Sequence, residues 1–450
     1  MVAPNDPFQG LLQDLLKLIG GPAGGGRAWL DAARSLALGV ATDGKPEENP
    51  DPIARIEVEG LARVAELHVA QVTGLPLEHT PVLEPVGRGT WASRQIDAWA
   101  PFIGRIVEAG RIPAAPTPHP DDEGQQPGTG SGAGARGSES DTGAAGTPGG
   151  TTDLGPFADL GALAGLGGLG ETGLGGYDSG GEGEAGLEQL IGRFATTLGP
   201  VVVGMQFGSA AGHLAQRALG QYALPLPWPS AEQVLVVPHN VERFAAEWSL
   251  PPDQVRLWVC VYHVASHNVL SRPHVAKRIR TLVEELAVET ATSHQQLAQR
   301  LGGEAADPES LQRLLSDPEA LLADLLTPGQ RRTSADLVAL TTAVGAYVDH
   351  VTARVAGALT GSAGALGEAW YRYRADGADA EKTAGSLFGL DLSRPQIERG
   401  AAFVRGVVER AGEDGLDPLW REERCLPTPA ELDAPGLWLE RIALPELPAD

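Results

Sequence analysis

Two histidines one helical turn apart, His263 and His267, are the residues of this sequence whose type and spacing best suit metal chemistry. They lie in the stretch WVCVYHVASHNVL. On an α-helix, residues at positions i and i+4 project from the same face, so both imidazoles could bind one metal ion. Two histidines alone make a weak zinc site, because tetrahedral sites normally use three or four protein ligands. The pair therefore predicts a zinc site that still needs a further ligand.

The residue after the first histidine is Val264, which removes one step of the expected chemistry. In the H-E-x-x-H motif of zinc peptidases this position is a glutamate, which takes a proton from the zinc-bound water and passes it to the leaving amine. A valine side chain can do neither, so the sequence predicts no catalytic residue here. A buried helix with two neutral, hydrogen-bonded histidines and no metal is the alternative interpretation.

The elements that must position the pair predict a fold made mainly of α-helices. Residues 253–270 form a predicted helix that is apolar on almost every side and therefore buried. A short strand is predicted at 234–238, followed by a helix for which Asn240 is a candidate N-cap. Periodic apolar residues predict further helices at 11–19, 51–74, 91–109, 187–219, 273–301, 308–326 and 334–359, and others beginning at Ala363 and Arg394.

Composition divides the chain into three parts. Residues 110–186 are rich in Gly, Pro and Ser and offer little apolar surface to bury, so we expect a disordered linker there. Residues 1–109 are predicted to form an N-terminal helical part that packs on the core, and residues 187–450 are predicted to form the helical core. The G-x-G-like spacings of the linker follow no strand and precede no lysine, which argues against a phosphate-binding loop.

Charge and cysteine content narrow the class of partner. The net charge of -24 argues against nucleic acid and anionic membrane surfaces, because the field of the protein would repel phosphate. Cys260 and Cys425 are too few for a disulfide framework or a cysteine-based zinc module. No segment has the roughly 20 apolar residues that a membrane span needs. We expect a cytoplasmic protein with an unknown protein or peptide partner; the oligomeric state is not predicted.

The residues around the histidine pair resemble the type 2 zincin-like metallopeptidase family, which is abundant in actinobacteria and often described as hydrolases. The features shared in family order are LPLP, a V-P-x-N strand end, the helix start D-x-V-R-L-W and the histidine pair. The C-terminal run GLDLSRPQIERGAAFVRGVVERAGEDGLDPLW, followed by LPTPAEL, resembles the family too. The resemblance extends from about residue 187 to the C-terminus and, more weakly, through 51–109.

This resemblance implies a mostly helical zincin-like fold in which the two histidines hold zinc and a more distant residue completes the site. Val264 occupies the position of the family glutamate. Gly345, in GAYVDHV, stands where a second family motif implies another glutamate, a candidate third ligand. Substitutes for that ligand are Asp349, His350, Glu284 and Glu285, although charged helical residues are usually solvated.

Two main functions follow from these residues. The first is a catalytically degenerate zincin-like protein that keeps the fold and its cleft and serves as a binding or regulatory protein. The second is an active metal-dependent hydrolase in which another carboxylate acts as base. Zinc binding is expected to be weak or absent if the third ligand is lost. By analogy, the strand at 234–238 is a candidate edge for a bound peptide, and recruitment of partners through the linker is a further hypothesis.

Overall fold

A computed structural model of the protein describes residues 28–47, 49–75, 81–109, 182–229, 232–302, 327–375 and 379–444. One compact unit comprises residues 1–111 and 194–450, and a second comprises residues 112–193. Within the described part of the second unit, residues 182–193 form the beginning of a helix. None of the described helices is both long and apolar enough to cross a membrane.

The described chain is mainly α-helical with a two-stranded sheet, as the sequence predicts. The helices are α1 (Ala28–Thr42), α2 (Pro52–Thr73), α3 (Arg88–Ala109), α4 (Glu182–Ala215), α5 (Pro238–Glu247), α6 (Pro252–Leu270), α7 (Pro273–Gly302), α8 (Pro328–Leu359), α9 (Ala363–Ala375), α10 (Asp379–Ser386), α11 (Arg394–Ala411), α12 (Pro429–Asp433) and α13 (Pro435–Ala443). The strands are β1 (Val82–Pro85) and β2 (Gln233–Val236), and short 3-10 turns span Gln221–Ala223, Glu413–Trp420 and Glu423–Cys425.

The predicted elements agree with the structure except at a few places. The predicted helices at 11–19 and 308–326 lie outside the described residues, as does most of the predicted linker. Residues 182–186, which the sequence predicts as part of that linker, are the first residues of α4. Helix α1 and strand β1 are not predicted from the sequence. The division into parts at 109 and 187 stays a prediction.

Helix α6 lies at the centre of the described unit and carries both histidines. Every residue from Trp258 to Leu270 is buried, which confirms for this part of the helix the prediction that it is buried. Helices α2, α5 and α8 pack against it. Pro252 stands in its first turn, where a missing N–H removes no helical hydrogen bond. The surrounding helices therefore determine what each histidine can contact.

The sheet gives β2 a partner on each side. Strand β1 pairs with it in parallel, in the register Val82 with Gln233 to Pro85 with Val236. On the other side Gly220 forms an antiparallel bridge to Val236, and Val237 N donates to Leu219 O at 2.9 Å. The edge that the sequence suggested for a bound peptide is therefore already occupied by the chain itself.

Asn240 does not cap α5, so this prediction is wrong. The helix begins at Pro238, and its N-cap is Val237, which has no side-chain hydrogen bond. Asn240 is instead buried, and its amide nitrogen donates to the carbonyl oxygens of Ala215 and Ala218 at 2.9 and 2.7 Å. The side chain thus has no capping role in α5 and instead donates to one carbonyl in the last turn of α4 and to one just beyond that helix.

Candidate functional site

Helix α6 directs His263 and His267 towards one residue, Tyr222. The backbone N–H of Tyr222 donates to Nδ1 of His263 over 3.4 Å, and its hydroxyl oxygen lies 2.8 Å from Nδ1 of His267. All three side chains are buried. The one-turn spacing does place both imidazoles on one face, and on that face a single residue bridges them.

The turn that carries Tyr222 is held against strand β2. The side-chain oxygen of Gln221 accepts from the backbone N–H of Leu235 at 3.0 Å, and Gly220 bridges Val236. Gly220 also lies close to His263: a Cβ added to this glycine would overlap Nε2 of the imidazole. The absence of a side chain at 220 therefore allows the turn to close directly over the histidine.

The polarity of the contact at His263 is the reverse of that in a zinc site. A metal-bound imidazole normally donates its remaining N–H to an acceptor. Here the backbone N–H of Tyr222 can only donate, which makes Nδ1 of His263 the acceptor. A neutral imidazole then carries its proton on Nε2 and has no free lone pair for a metal. Burial lowers the pKa of His263 to about 3, so the ring is neutral at ordinary pH.

No third ligand joins the pair among the residues that the structure describes. They contain no group of three or more His, Cys, Asp or Glu side chains that could hold a metal ion. Nε2 of His263 is buried without a hydrogen-bond partner, but Gly220 lies against it. The donor set in this part of the chain therefore does not fit a tetrahedral zinc ion. Metal binding by His263 and His267 stays a prediction.

The candidate substitutes for a third ligand have other partners or lie in solvent. Asp349 accepts hydrogen bonds from Arg374 and Trp370, and His350 Nε2 lies 2.8 Å from Glu413. Glu284 pairs with Arg105 at 3.1 Å, and Glu285 is exposed. No described hydrogen bond joins any of the four to either histidine.

Val264 and Cys260 are side chains of the core. Val264 is fully buried, so position 264 presents an apolar group where the H-E-x-x-H motif has its carboxylate. Cys260 is 1% exposed, and burial raises its pKa to about 12, so the thiol is not activated as a nucleophile. Neither residue supplies a proton acceptor or nucleophile beside the histidines.

Comparisons with other proteins agree with this architecture. The sequence model of a protein family described as zincin-like metallopeptidase matches residues 29–439. The chain belongs to this zincin-like metallopeptidase family. Comparison with curated proteins gives no match. The crystal structure of "a putative hydrolase with a novel fold" from Chloroflexus aurantiacus is similar, with a TM-score of 0.55 and 18% identity over 92% of this chain and 98% of that one.

A cleft adjoins the histidine pair in this zincin-like chain. Six residues that define what we call the Arg374 cleft are Tyr222, Tyr262, Gly345, Trp370, Arg374 and Glu381. The Tyr262 ring packs edge-on against His263, with 5.4 Å between ring centroids, and against Trp370, with 4.7 Å. Tyr222 therefore contacts both histidines and also lines this cleft.

Two charged residues of the cleft, Arg374 and Glu381, form ion pairs with Asp349 and Arg217. Nη1 of Arg374 lies 2.5 Å from Oδ2 of Asp349, whose Oδ1 accepts from the Trp370 indole N–H at 3.1 Å. Burial alone would lower the pKa of Arg374, but the carboxylate of Asp349 reverses this and raises it. Burial raises the pKa of Glu381, although the guanidiniums of Arg217 and Arg374 oppose the shift.

The sequence did not single out the residues that matter most here. Tyr222 lies in a proline-rich connection, QYALPLPWP, and Arg374 lies in the run WYRYR. Neither has a recognisable catalytic spacing relative to the histidines. The tyrosine next to the LPLP run was the available signal, because a large aromatic residue in a connection needs a buried position. The sequence points to Gly345 only because a family motif implies a glutamate at that position.

Proposed function

We propose that this chain is a catalytically degenerate zincin-like protein that keeps the fold and its cleft and acts by binding or regulating a protein or peptide partner. The observation that carries the proposal is the bridge from Tyr222 to both His263 and His267. Each of the two imidazoles is hydrogen-bonded within the chain through Nδ1. The valine at 264 supports the same conclusion, because it cannot accept a proton from water.

The test compares zinc content and hydrolysis in protein purified with ample zinc. We expect less than one zinc ion per wild-type chain, and no chelator-sensitive cleavage of casein or of a mixed peptide library. His263→Gln should behave in the same way as the wild type. One zinc per chain, together with chelator-sensitive cleavage that disappears in His263→Gln, would reject the proposal.

A second part of the same test introduces a carboxylate at position 264. Val264→Glu places an ionisable group at a fully buried position, so we expect it to lower the free energy of unfolding by about 3 kcal/mol or more. Val264→Gln has the same length without the charge and should lose less. Neither variant should gain hydrolysis. A rise in the melting temperature of Val264→Glu alone on addition of zinc would reveal a usable metal site.

An active hydrolase is the second candidate, and one observation favours it. Glu381 lines the Arg374 cleft, and burial raises its pKa, which is the direction that strengthens a carboxylate as a proton acceptor. If it is the base, Glu381→Gln should abolish an activity that the wild type shows. Glu368→Gln, an exposed carboxylate on α9, is the matched control.

The proposal retains the sequence predictions about partners and location. A protein or peptide partner, rather than nucleic acid or a membrane surface, is supported by the net charge of -24. A location in the reducing cytoplasm is supported by Cys260 and Cys425, which are both free and buried. Zinc is expected to be bound weakly or not at all.

A further inference from the structure

One guanidinium group in the Arg374 cleft retains a donor that could bind a ligand. Arg374 hydrogen-bonds to Asp349 through Nη1, and its other terminal nitrogen, Nη2, has no acceptor among the described residues. Asp349 is itself held by the indole N–H of Trp370, whose ring centroid lies 5.9 Å from the guanidinium carbon. The guanidinium is therefore fixed in orientation while Nη2 is still available.

Gly345 leaves space beside this donor. A Cβ added to the glycine would lie 3.4 Å from Nη2 of Arg374, in ordinary van der Waals contact. The glycine is on α8 and lines the same cleft as the arginine. Any other residue type would place its side chain in this space. An acceptor entering the cleft can therefore approach Nη2 from the position that a side chain at 345 would fill.

The surroundings favour a single negative charge. Arg374 is paired with Asp349, and Glu381 is paired with Arg217 at 3.6 Å, so these four charges cancel. Lys382 lines the cleft as well and adds one positive charge. The aromatic walls displace water, which strengthens an ionic contact relative to one in open solvent.

A carboxylate fits this donor better than other common groups. A carboxylate oxygen can accept a hydrogen bond from Nη2, and such charge-assisted hydrogen bonds are about twice as strong as neutral ones. The rings of Tyr222, Tyr262 and Trp370 offer an apolar surface for the body of the same ligand. A ligand with a carboxylate head and an apolar body therefore satisfies both parts of the cleft.

The geometry points to the Arg374 cleft as a binding site for a carboxylate, carried by a small organic acid or by the free C-terminus of a peptide. This inference rests on the proposed function, because it names the ligand chemistry of the cleft through which a degenerate zincin-like protein would act. In this site Arg374 binds the carboxylate and Gly345 leaves room for it, and no metal is required.

The experiment measures binding of three probes to the full chain by calorimetry in the presence of a chelator. The probes are the tripeptide Ala-Ala-Phe with a free carboxyl group, the same peptide as its amide, and phenylacetate. We expect the free acid to bind at least about ten-fold more tightly than the amide, because only the acid forms the charge-assisted contact. Competition by phenylacetate would identify a small acid as sufficient, whereas its failure to compete would identify a peptide terminus.

Two variants at position 345 test the site from within. Gly345→Asp supplies an internal carboxylate close to Nη2 of Arg374, and Gly345→Asn supplies a neutral group of the same size. We expect Gly345→Asp to lose binding of the free acid and to melt at a higher temperature than Gly345→Asn. Circular dichroism checks that both variants fold.

Three results would overturn the inference. They are equal affinity for the acid and the amide, no binding of the acid, and a melting temperature of Gly345→Asp at or below that of Gly345→Asn. The proposed function fails by a different result, chelator-sensitive hydrolysis, so the two ideas can be rejected separately.

Discussion

Two regions adjoin Tyr222, the histidine pair and the Arg374 cleft, and their polar groups have different roles. On one side, His263 and His267 are buried and hydrogen-bonded to the tyrosine. On the other side, the guanidinium of Arg374 is charged, is held by Asp349, and belongs to a residue that lines the cleft. The residues with the metal-binding spacing are thus tied into the fold, while a donor suited to a ligand lies outside that motif.

Burial leaves His263 neutral, whereas Arg374 stays charged, because the charges that neighbour the two side chains differ. Burial is the cause that lowers the pKa of His263 to about 3. For Arg374 burial acts in the same direction, but the carboxylate of Asp349, aided by Tyr262 and Glu381, outweighs it and raises the pKa. A buried base keeps its charge only when an opposite charge is close. The comparison therefore predicts a neutral region beside a charged one.

The largest expected change in stability comes from removing Asp349, the carboxylate that pairs with Arg374. Asp349→Ala leaves Arg374 partly buried without its carboxylate, and breaking a buried pair costs about 3 to 5 kcal/mol. Because the two side chains are 30% and 22% exposed, we expect a loss of about 2 to 3 kcal/mol in the free energy of unfolding, measured in urea. Glu368→Ala removes the partner of exposed Arg372 and should change little. Equal losses in both variants would contradict the comparison.

The neutral region should make stability depend on pH. The folded pKa of His263, about 3, lies below its unfolded value of roughly 6.5, so the unfolded chain binds more protons as the pH falls. The stability that neutral His263 contributes is present at pH 7 and is lost towards pH 3. Between pH 7 and pH 5 we expect a loss of about 2 kcal/mol in the free energy of unfolding.

Urea unfolding at pH 7, 6 and 5 measures this dependence. His263→Gln removes the titrating group and should flatten the slope, although it lowers stability at every pH. His68→Gln, which replaces a half-buried histidine on α2, is the matched control. A slope that persists in His263→Gln would show that other groups cause the dependence.

The smallest expected change in stability comes from removing the hydroxyl of Tyr222, which contacts His267. Tyr222→Phe removes the contact with Nδ1 of His267 and leaves a buried nitrogen without that partner, which costs about 1 to 2 kcal/mol. Urea unfolding measures this loss. The hydroxyl of Tyr371 bonds to Glu398 in solvent, so Tyr371→Phe should have no measurable effect. If the two variants behave alike, the bridge does not stabilise the histidine region.

Helix α2 shows how far apolar spacing predicts a helix and where it fails. Its limits agree with the prediction, since Asp51 caps the N-terminus and Gly74 adopts a left-handed conformation after the last turn. However, Ile53 and Ile56 are exposed, whereas Ala62 and Ala65 are buried. Small side chains allow a close helix contact, so the buried face depends on the neighbouring helices as well as on hydropathy.

Strand β1 was missed for a similar reason. Four residues that end in proline carry little local preference for a strand, and β1 exists because β2 pairs with it across about 150 residues of sequence. Strand β2, with its run of valines, was predicted because its own residues favour extended structure. A short strand is therefore predictable when its own residues favour extended structure. It is not predictable when it forms only because it pairs with a distant strand.

The sequence by itself determined the helical class, the family, the shared face of His263 and His267, and the valine at position 264, where the H-E-x-x-H motif has a glutamate. These follow from local spacing and residue type, because the regular geometry of a helix fixes the direction in which each side chain projects. Only the tertiary structure decided that Tyr222, 41 residues before His263, reaches both imidazoles, and that Arg374 lies beside Gly345. Contacts between distant segments depend on how the helices pack, and residue spacing along the chain does not encode that packing.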